Sequence, residues 1–156
     1  GVILHIASAE ELARAVERLQ AVGGRLGVPM QGVLVETMVP FDHELLLGLR
    51  RDERFGAVLT TARGGVEVEL DADAVTRLLP LEASDVEAML RSLRSARLLE
   101  GFRGRAAADI PLLAARIADL CAWFLAQPAL AEVETNPLAV RGGDAWALDA
   151  LVTRTG

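Results

Sequence analysis

Oxygen-bearing side chains occupy every second position of one apolar stretch near the end of the chain. The stretch AEVETNP carries Glu132, Glu134 and Asn136, and in a strand such positions lie on one face. Carboxylate and amide oxygens are ligands that Mg²⁺ accepts, and the ion usually keeps waters and substrate phosphates as its other ligands. The pattern fits either a solvated strand face or a cation site, and by itself it does not choose between them.

The sequence after this stretch predicts a partner strand that brings one more carboxylate. Gly142–Gly143 between two strand-like runs is typical of a two-residue hairpin turn. In the register that follows, paired positions add up to 285, so that Asn136 faces Asp149. Opposed side chains share a face, and Glu134 lies two residues before Asn136. The hairpin therefore predicts a patch of three oxygen ligands, with Trp146 on the opposite face.

Further candidates lie earlier in the chain. Glu36 interrupts the apolar run VLVETMV, and Glu44 opens the next run eight residues later. Carboxylates accept hydrogen bonds from ribose hydroxyls and from the amino group of adenine, although two ordinary strand-end glutamates would give the same pattern. The pair Gly64–Gly65 allows the backbone to approach a phosphate closely, and a plain turn explains the pair equally well.

Composition excludes several classes of function. The chain has 156 residues and a net charge of −6, which argues against nucleic-acid binding. No apolar run reaches the roughly 18 residues of a membrane span. All 16 basic residues are arginine, so this chain supplies no Schiff-base or P-loop lysine. The single cysteine, Cys121, and the lack of a visible secretory signal indicate a cytoplasmic protein.

Apolar periodicity and capping residues predict the elements that carry these side chains. We expect a strand in GVILHIAS, followed by a helix from the cap Ser8 to about Val22. Short strands are expected between Gly32 and Val68 in the runs GVLVETMV, ELLLGLRRD, GAVLTTA and RGGVEVEL. Two more helices are predicted, one capped by Ser84 and ending near Leu93, the other capped by Asp109 and stopped by Pro128. The core face of the last helix is expected to hold Ile110, Leu113, Ile117, Leu120, Cys121 and Phe124. This mixture indicates an α+β or α/β domain.

The order of these pieces resembles a known family. The segments GVLVETMVPFDHELLLGLRRDERFGAVLTTARGGVEVEL, RSLRSARLLEGFRGRAAADI and LAEVETNPLAV with WALDALV resemble the ATP-grasp domain of NDP-forming acyl-CoA synthetases. That family includes acetate–CoA ligase (ADP-forming) and the β subunit of succinyl-CoA synthetase. The resemblance covers nearly the whole chain, and the loop LLEGFRG with its flanking helices is the part most typical of the acetate–CoA ligase branch.

The resemblance implies roles for individual residues. Asn136 and Asp149 match the Mg²⁺ ligands, and Glu134 matches an acidic position that serves phosphoryl transfer. Glu36 falls where the family contacts adenine, and Glu44 falls where it contacts the ribose. With these two, the nucleotide-binding positions that the resemblance implies include Met38, Gly64 and Gly65. The implied cofactors are Mg²⁺ and ATP or ADP, with CoA bound by other domains or subunits of the complete enzyme.

The chain departs from the family in one respect. Family members carry a glycine-rich loop and a phosphate-holding lysine before the point where this sequence starts, so we expect residues 1–30 to be the tail of the first subdomain and residues 31–156 to be the C-terminal subdomain. The implied function is the ATP-grasp part of an ADP-forming acyl-CoA ligase acting through a phosphohistidine, and the isolated chain is expected to be inactive. The alternative is a non-catalytic nucleotide-binding or regulatory module, for example in an acetyltransferase fusion.

Overall fold

The computed structural model describes residues 1–64 and 73–155. The chain divides into two compact units, Gly1–Val39 and Pro40–Gly156. The boundary expected from the sequence, after residue 30, lies nine residues before this division. The run RGGVEVEL lies mostly outside the described residues.

The first unit is built around one helix, α1 (Ala9–Leu26). The Ser8 hydroxyl accepts a hydrogen bond from the Glu11 N–H at 3.1 Å, which confirms the predicted N-cap. The predicted end at Val22 was wrong, because the helix continues through the glycine pair that follows. It ends at Gly27, whose φ of 65° lies in the left-handed region that glycine adopts most easily.

The strands predicted in this unit do not form. Residues 1–7 and 28–39 contain neither helix nor strand. His5 has a φ of 61°, which interrupts the first extended run. A strand also needs a neighbour to complete its hydrogen bonds, and neither run pairs with another strand in the part of the chain that the structure describes.

Within its described residues, the second unit contains an antiparallel sheet and three helices. Its elements are β1 (His43–Asp52), β2 (Gly56–Arg63), β3 (Ala74–Leu78), α2 (Ala83–Ser92), α3 (Ala96–Leu99), α4 (Ile110–Leu125), β4 (Leu130–Arg141), β5 (Asp144–Ala147) and β6 (Ala150–Arg154). Among the described residues the strand order is β3-β2-β1-β4-β5, and β6 also pairs with β4. The fold is therefore mixed α+β, and the runs ELLLGLRRD and GAVLTTA are strands as predicted.

One face of the sheet packs against α2 and α4 and forms the hydrophobic core. The α4 residues predicted to face inward are buried, except Leu120, which is half-buried. Burial also raises the pKa of Cys121 to about 11, so its thiol stays protonated at neutral pH. No helix within the described residues is long and apolar enough to cross a membrane.

Two helix caps show how far local patterns can be trusted. Asp109 caps α4 as predicted, and its carboxylate accepts the Leu112 N–H at 3.1 Å. The cap predicted for α2 was two residues too late. Glu82, not Ser84, forms the capping box, together with Asp85. Ser84 and Glu87 have the spacing of the capping-box motif but lie inside the helix, so the motif alone gave the wrong start.

Arg51 at the end of β1 caps the C-terminus of α4. Its guanidinium donates to the backbone oxygens of Leu130, Phe124 and Gln127 at 2.9, 3.0 and 3.2 Å and lies 4.8 Å from the centre of the Phe124 ring. The oxygens of Phe124 and Gln127 also accept the N–H groups of Gln127 and Leu130, so Arg51 adds charge-assisted hydrogen bonds to carbonyls at the end of the helix.

Replacing Arg51 with methionine is expected to lower the free energy of unfolding by about 2 kcal/mol, because it removes three charge-assisted hydrogen bonds. Urea denaturation measures this directly. The matched control is Arg50→Met, since Arg50 is exposed and makes only a surface ion pair with Asp52. Equal effects of the two substitutions would contradict the role given to Arg51.

Asp73 joins the start of β3 to the turn before α3. Its side chain is 8% exposed, and its two oxygens accept the N–H groups of Arg94 and Ser95, each at 2.8 Å. Burial acts to raise the pKa of Asp73, but hydrogen bonds from Ser95 and Arg94 and the charge of Arg94 together outweigh it, so the pKa lies below its usual value.

Because the folded-state pKa is depressed, the ionised carboxylate stabilises the fold above the unfolded-state pKa of about 3.9. This contribution is lost as the pH falls through the folded-state value. We expect Asp73→Ala to cost about 2 kcal/mol at pH 7 and the difference from the parent to shrink below pH 4. Thermal unfolding at several pH values tests this, and a pH-independent difference would exclude a role for the charge.

Candidate functional site

Glu44 and Glu134 lie on the face of the sheet that is turned away from α2 and α4, here called the far face. In β1, the buried residues His43, Leu45, Leu47 and Leu49 alternate with Glu44, Leu46, Gly48 and Arg50. The first set belongs to the core face, and the second set defines the far face. Pairing with β1 then assigns residues of the neighbouring strands to one face or the other.

Strand β4 is irregular on both sides at the Asn136–Pro137 dipeptide. Towards β1, two residues of β4 stand opposite the single residue Leu46, which is a β-bulge. Towards the other side, Leu148 and Asp149 belong to neither β5 nor β6, and only the Leu148 N–H still donates to β4, to the Pro137 oxygen at 3.1 Å. Proline has no N–H to donate, and the Asn136–Pro137 peptide is cis. The strand is therefore regular on either side of the candidate metal ligands and irregular at them.

The predicted register is confirmed, but the predicted pair is not formed. Paired residues of β4 and β5 have numbers that add up to 285, and so do most pairs of β4 and β6, including Thr135 with Ala150. The interruption falls on the positions where Asn136 would meet Asp149. Thr135 and Ala150, which lie next to the two residues, are paired with each other, and both Asn136 and Asp149 are exposed. Neither side chain has a hydrogen-bond or ion-pair partner among the residues described.

The bulge corrects one expectation about faces. Ala139 pairs with Glu44 on one side and with Trp146 on the other, and all three are therefore assigned to the far face. The hairpin pattern had placed Trp146 opposite to Glu134. One extra residue in β4 reverses the alternation, so that Glu134 and Trp146 belong to the same face.

Glu134 lies beside a glycine that the sequence-based interpretation did not single out. Glu134 pairs with Gly48 of β1, and on the other side of Gly48 lies Thr60 of β2. A Cβ built on Gly48 has no atom of the described residues within 4 Å, apart from its own chain neighbours. Gly48 thus leaves space on the far face between a carboxylate and a hydroxyl. The available signal was a glycine in the middle of an apolar strand, which often marks a close approach by a ligand or another backbone.

Glu44 and Gly64 lie together at the end of the far face where β1 begins. The Gly64 N–H donates to the backbone oxygen of Glu44 at 2.9 Å. A Cβ on Gly64 would come within 2.8 to 2.9 Å of backbone atoms of Glu44 and Leu45. Gly64 is therefore required for close packing of the strands, and its N–H is already used. Glu44 is four residues from Gly48 along β1, so it lies about 13 Å from the row that holds Glu134.

The other predicted positions lie outside the described part of the second unit. Glu36 and Met38 lie in the first unit, in a segment without helix or strand, and both are exposed. Gly65 lies outside the described residues. Their nucleotide-binding roles stay predictions.

The chemistry of the far face suits a cation that keeps some of its own ligands. Asn136, Asp149 and Glu134 offer carboxylate and amide oxygens near the interruption. Within residues 1–64 and 73–155, no group of three or more His, Cys, Asp or Glu side chains is arranged to hold a metal ion. This donor set fits Mg²⁺ bound by one or two side chains together with waters and phosphate oxygens, rather than an all-protein cage.

Comparison with known proteins gives the family. A family model described as an ATP-grasp domain matches residues 1–153. Acetate–CoA ligase (ADP-forming) I of Archaeoglobus fulgidus is 33% identical over 141 residues, which are 90% of this chain and 21% of that protein. The β subunit of acetate–CoA ligase (ADP-forming) I of Pyrococcus furiosus is 29% identical, over 96% of this chain and 66% of the subunit.

The fold of this chain also matches that of a solved acetyl-CoA synthetase structure. Acetyl-coenzyme A synthetase 1 of Ca. Korarchaeum cryptofilum, in complex with coenzyme A and Mg-AMPPCP, matches 99% of this chain and 68% of its own with a TM-score of 0.84 and 28% identity. The chain thus spans about a fifth of the Archaeoglobus ligase and about two thirds of the separate Pyrococcus subunit. With a family model matched along nearly its whole length and ADP-forming ligases as its relatives, this chain belongs to the ATP-grasp domain family.

Proposed function

We propose that this chain is the nucleotide-binding ATP-grasp part of an ADP-forming acyl-CoA ligase. The observation that carries the proposal is the double irregularity of β4, which leaves two oxygen-bearing side chains, Asn136 and Asp149, exposed and unpartnered within the described residues. Bulges commonly lie next to active sites, where they re-aim side chains. The Korarchaeum relative, whose structure holds Mg-AMPPCP, supports a magnesium nucleotide as the ligand.

The far face offers separate positions for the parts of this ligand. Asn136 and Asp149 would hold Mg²⁺, which supplies neutralisation of phosphate charge when it is bound. Glu134, two residues before Asn136 in β4, would orient the transferring phosphate or the metal's waters. Glu44, at the start of β1, would accept hydrogen bonds from the ribose hydroxyls. The nucleotide would then lie along β1 and pass over Leu46 and Gly48.

The complete reaction would also use groups of other domains or subunits. The nucleotide would exchange a phosphoryl group with a histidine, and that phosphate would activate a carboxylate for thioester formation with CoA. In the Korarchaeum structure a phosphohistidine segment points towards the nucleotide binding site, which supports this sequence of steps. The acyl substrate and the reactive thiol end of CoA would bind to other domains or subunits.

Calorimetric titration of ADP into the chain, with Mg²⁺ or with EDTA, tests the proposal. We expect binding that requires Mg²⁺, because the phosphates and the protein share the cation. Absence of any Mg²⁺-dependent binding would contradict the proposal for this chain. Binding by the chain without phosphoryl transfer in the complete protein would favour a non-catalytic nucleotide-binding module.

A further inference from the structure

A strongly basic segment lies outside the proposed nucleotide site. Residues 91–108 contain five arginines and one acidic residue, Glu100, and so carry a net charge of +4 in a chain whose total is −6. Arg91 and Arg94 form ion pairs with carboxylates, at 2.9 to 3.8 Å. Arg103 and Arg105 form none with the described residues, and both are exposed. They belong to the arginine loop, defined here as Gly101–Arg105 with the sequence GFRGR.

The arginine loop has an unusual backbone. Gly101 and Gly104 have φ angles of 92° and 83°, and Arg103 between them has a φ of 52°. Arginine seldom occupies this left-handed region, and such residues cluster at functional sites. A glycine would adopt the same conformation at no steric cost, so folding alone does not explain an arginine there.

Hydrogen bonds hold the arginine loop in place from both sides. The buried imidazole of His43 donates through Nε2 to the Ala106 oxygen at 2.7 Å. The Ala108 N–H donates to the Leu99 oxygen at 2.8 Å, and the Arg105 N–H closes the turn on the Phe102 oxygen at 3.3 Å. The loop is thus fixed in shape although its side chains are exposed.

The fixed turn leaves donors without acceptors. Among the described residues, the N–H groups of Phe102, Arg103 and Gly104 have no hydrogen-bond acceptor. The Arg103 guanidinium lies 5.2 Å from the centre of the Phe102 ring, a cation–π contact within the same loop. Successive N–H groups in turns with left-handed residues form concavities that bind anions, and guanidinium groups are suited to phosphate oxygens.

We propose that the arginine loop binds a terminal phosphate group, through the N–H groups of Phe102–Gly104 and the guanidiniums of Arg103 and Arg105. The ligand is a phosphate dianion. The 3′-phosphate of CoA and free inorganic phosphate are two sources of such a group, and titration with CoA and its dephosphorylated form distinguishes them. The site is separate from the magnesium site on β4 and needs no divalent cation.

Backbone amide NMR of the chain during titration with inorganic phosphate, without Mg²⁺ or nucleotide, tests this site. We expect saturable shifts centred on Phe102–Arg105 with a Kd on the order of 1 mM. The double variant Arg103→Gly/Arg105→Gln should weaken them at least about tenfold, since it removes two charge-assisted contacts. Tighter binding of CoA than of 3′-dephospho-CoA would identify the 3′-phosphate of CoA as the bound group. Equal binding of the two would leave free inorganic phosphate as the ligand.

The control variant, Arg54→Gln/Arg154→Gln, removes the same charge from two exposed arginines elsewhere. Its phosphate shifts should equal those of the parent. Equal weakening in both double variants, or no localised shifts, would overturn the proposal.

The single variant Arg103→Gly separates binding from packing. Its melting temperature should not fall, because glycine tolerates a φ of 52°. A lower melting temperature with unchanged phosphate shifts would show that Arg103 serves only to pack on Phe102. Because no nucleotide is present, failure here would leave the proposed function untouched.

Discussion

Replacing Asp149 with alanine is expected to abolish the Mg²⁺-dependent part of ADP binding, with a loss of affinity of at least about tenfold, or 1.4 kcal/mol. The physical reason is that Mg²⁺ prefers anionic oxygen ligands, and Asn136 is a neutral ligand that cannot replace a carboxylate. Calorimetry on the parent and the variant, each with Mg²⁺ and with EDTA, measures the effect. In the complete enzyme, the same substitution should abolish nucleotide-dependent turnover.

The fold should not suffer from this change. Asp149 is exposed and lies where the ladder is already interrupted, so we expect the free energy of unfolding to change by no more than about 0.5 kcal/mol. The matched control is Asp119→Ala, which removes an exposed carboxylate from α4. Its nucleotide binding should equal that of the parent. Retained Mg²⁺-dependent binding by Asp149→Ala would remove Asp149 from the metal site.

The register of the terminal hairpin could be predicted because it depends on local chemistry. Two adjacent glycines favour one tight turn, and the turn then determines most of the pairs, so Arg141 meets Asp144 and Thr135 meets Ala150 as the sum of 285 requires. The cap at Asp109 has the same local origin. These features need no knowledge of distant residues.

The faces of the sheet could not be predicted in the same way. The bulge opposite Leu46 depends on how β4 meets β1, and these strands are almost ninety residues apart in sequence. One extra residue moves Trp146 to the face of Glu134 without leaving a mark in the local pattern. Glu36 shows the converse case. Its surroundings have strand-like alternation, but no described neighbour pairs with that segment, and alternation alone does not make a strand.

Gly48 gives the sharpest test of where the nucleotide lies. A valine at this position would place its side chain on the far face between Thr60 and Glu134, in space where no atom of the described residues, apart from its own chain neighbours, lies within 4 Å of the Cβ position. We expect Gly48→Val to weaken Mg²⁺-ADP binding at least about tenfold, or 1.4 kcal/mol, because the branched side chain would occupy the path proposed for the ligand. Calorimetry measures this loss.

The same substitution should stabilise the fold, by up to about 1 kcal/mol, because valine suits a central strand and glycine weakens it. Gly48→Ala is the graded control, and it should gain part of the stability while losing less affinity. A damaged fold would lower both the free energy of unfolding and the affinity for Mg²⁺-ADP. Higher stability with lower affinity would therefore show that the valine blocks access of the ligand. Unchanged nucleotide binding by Gly48→Val would mean that the ligand does not cross β1 at Gly48, and the role of Glu134 beside it would then fail as well.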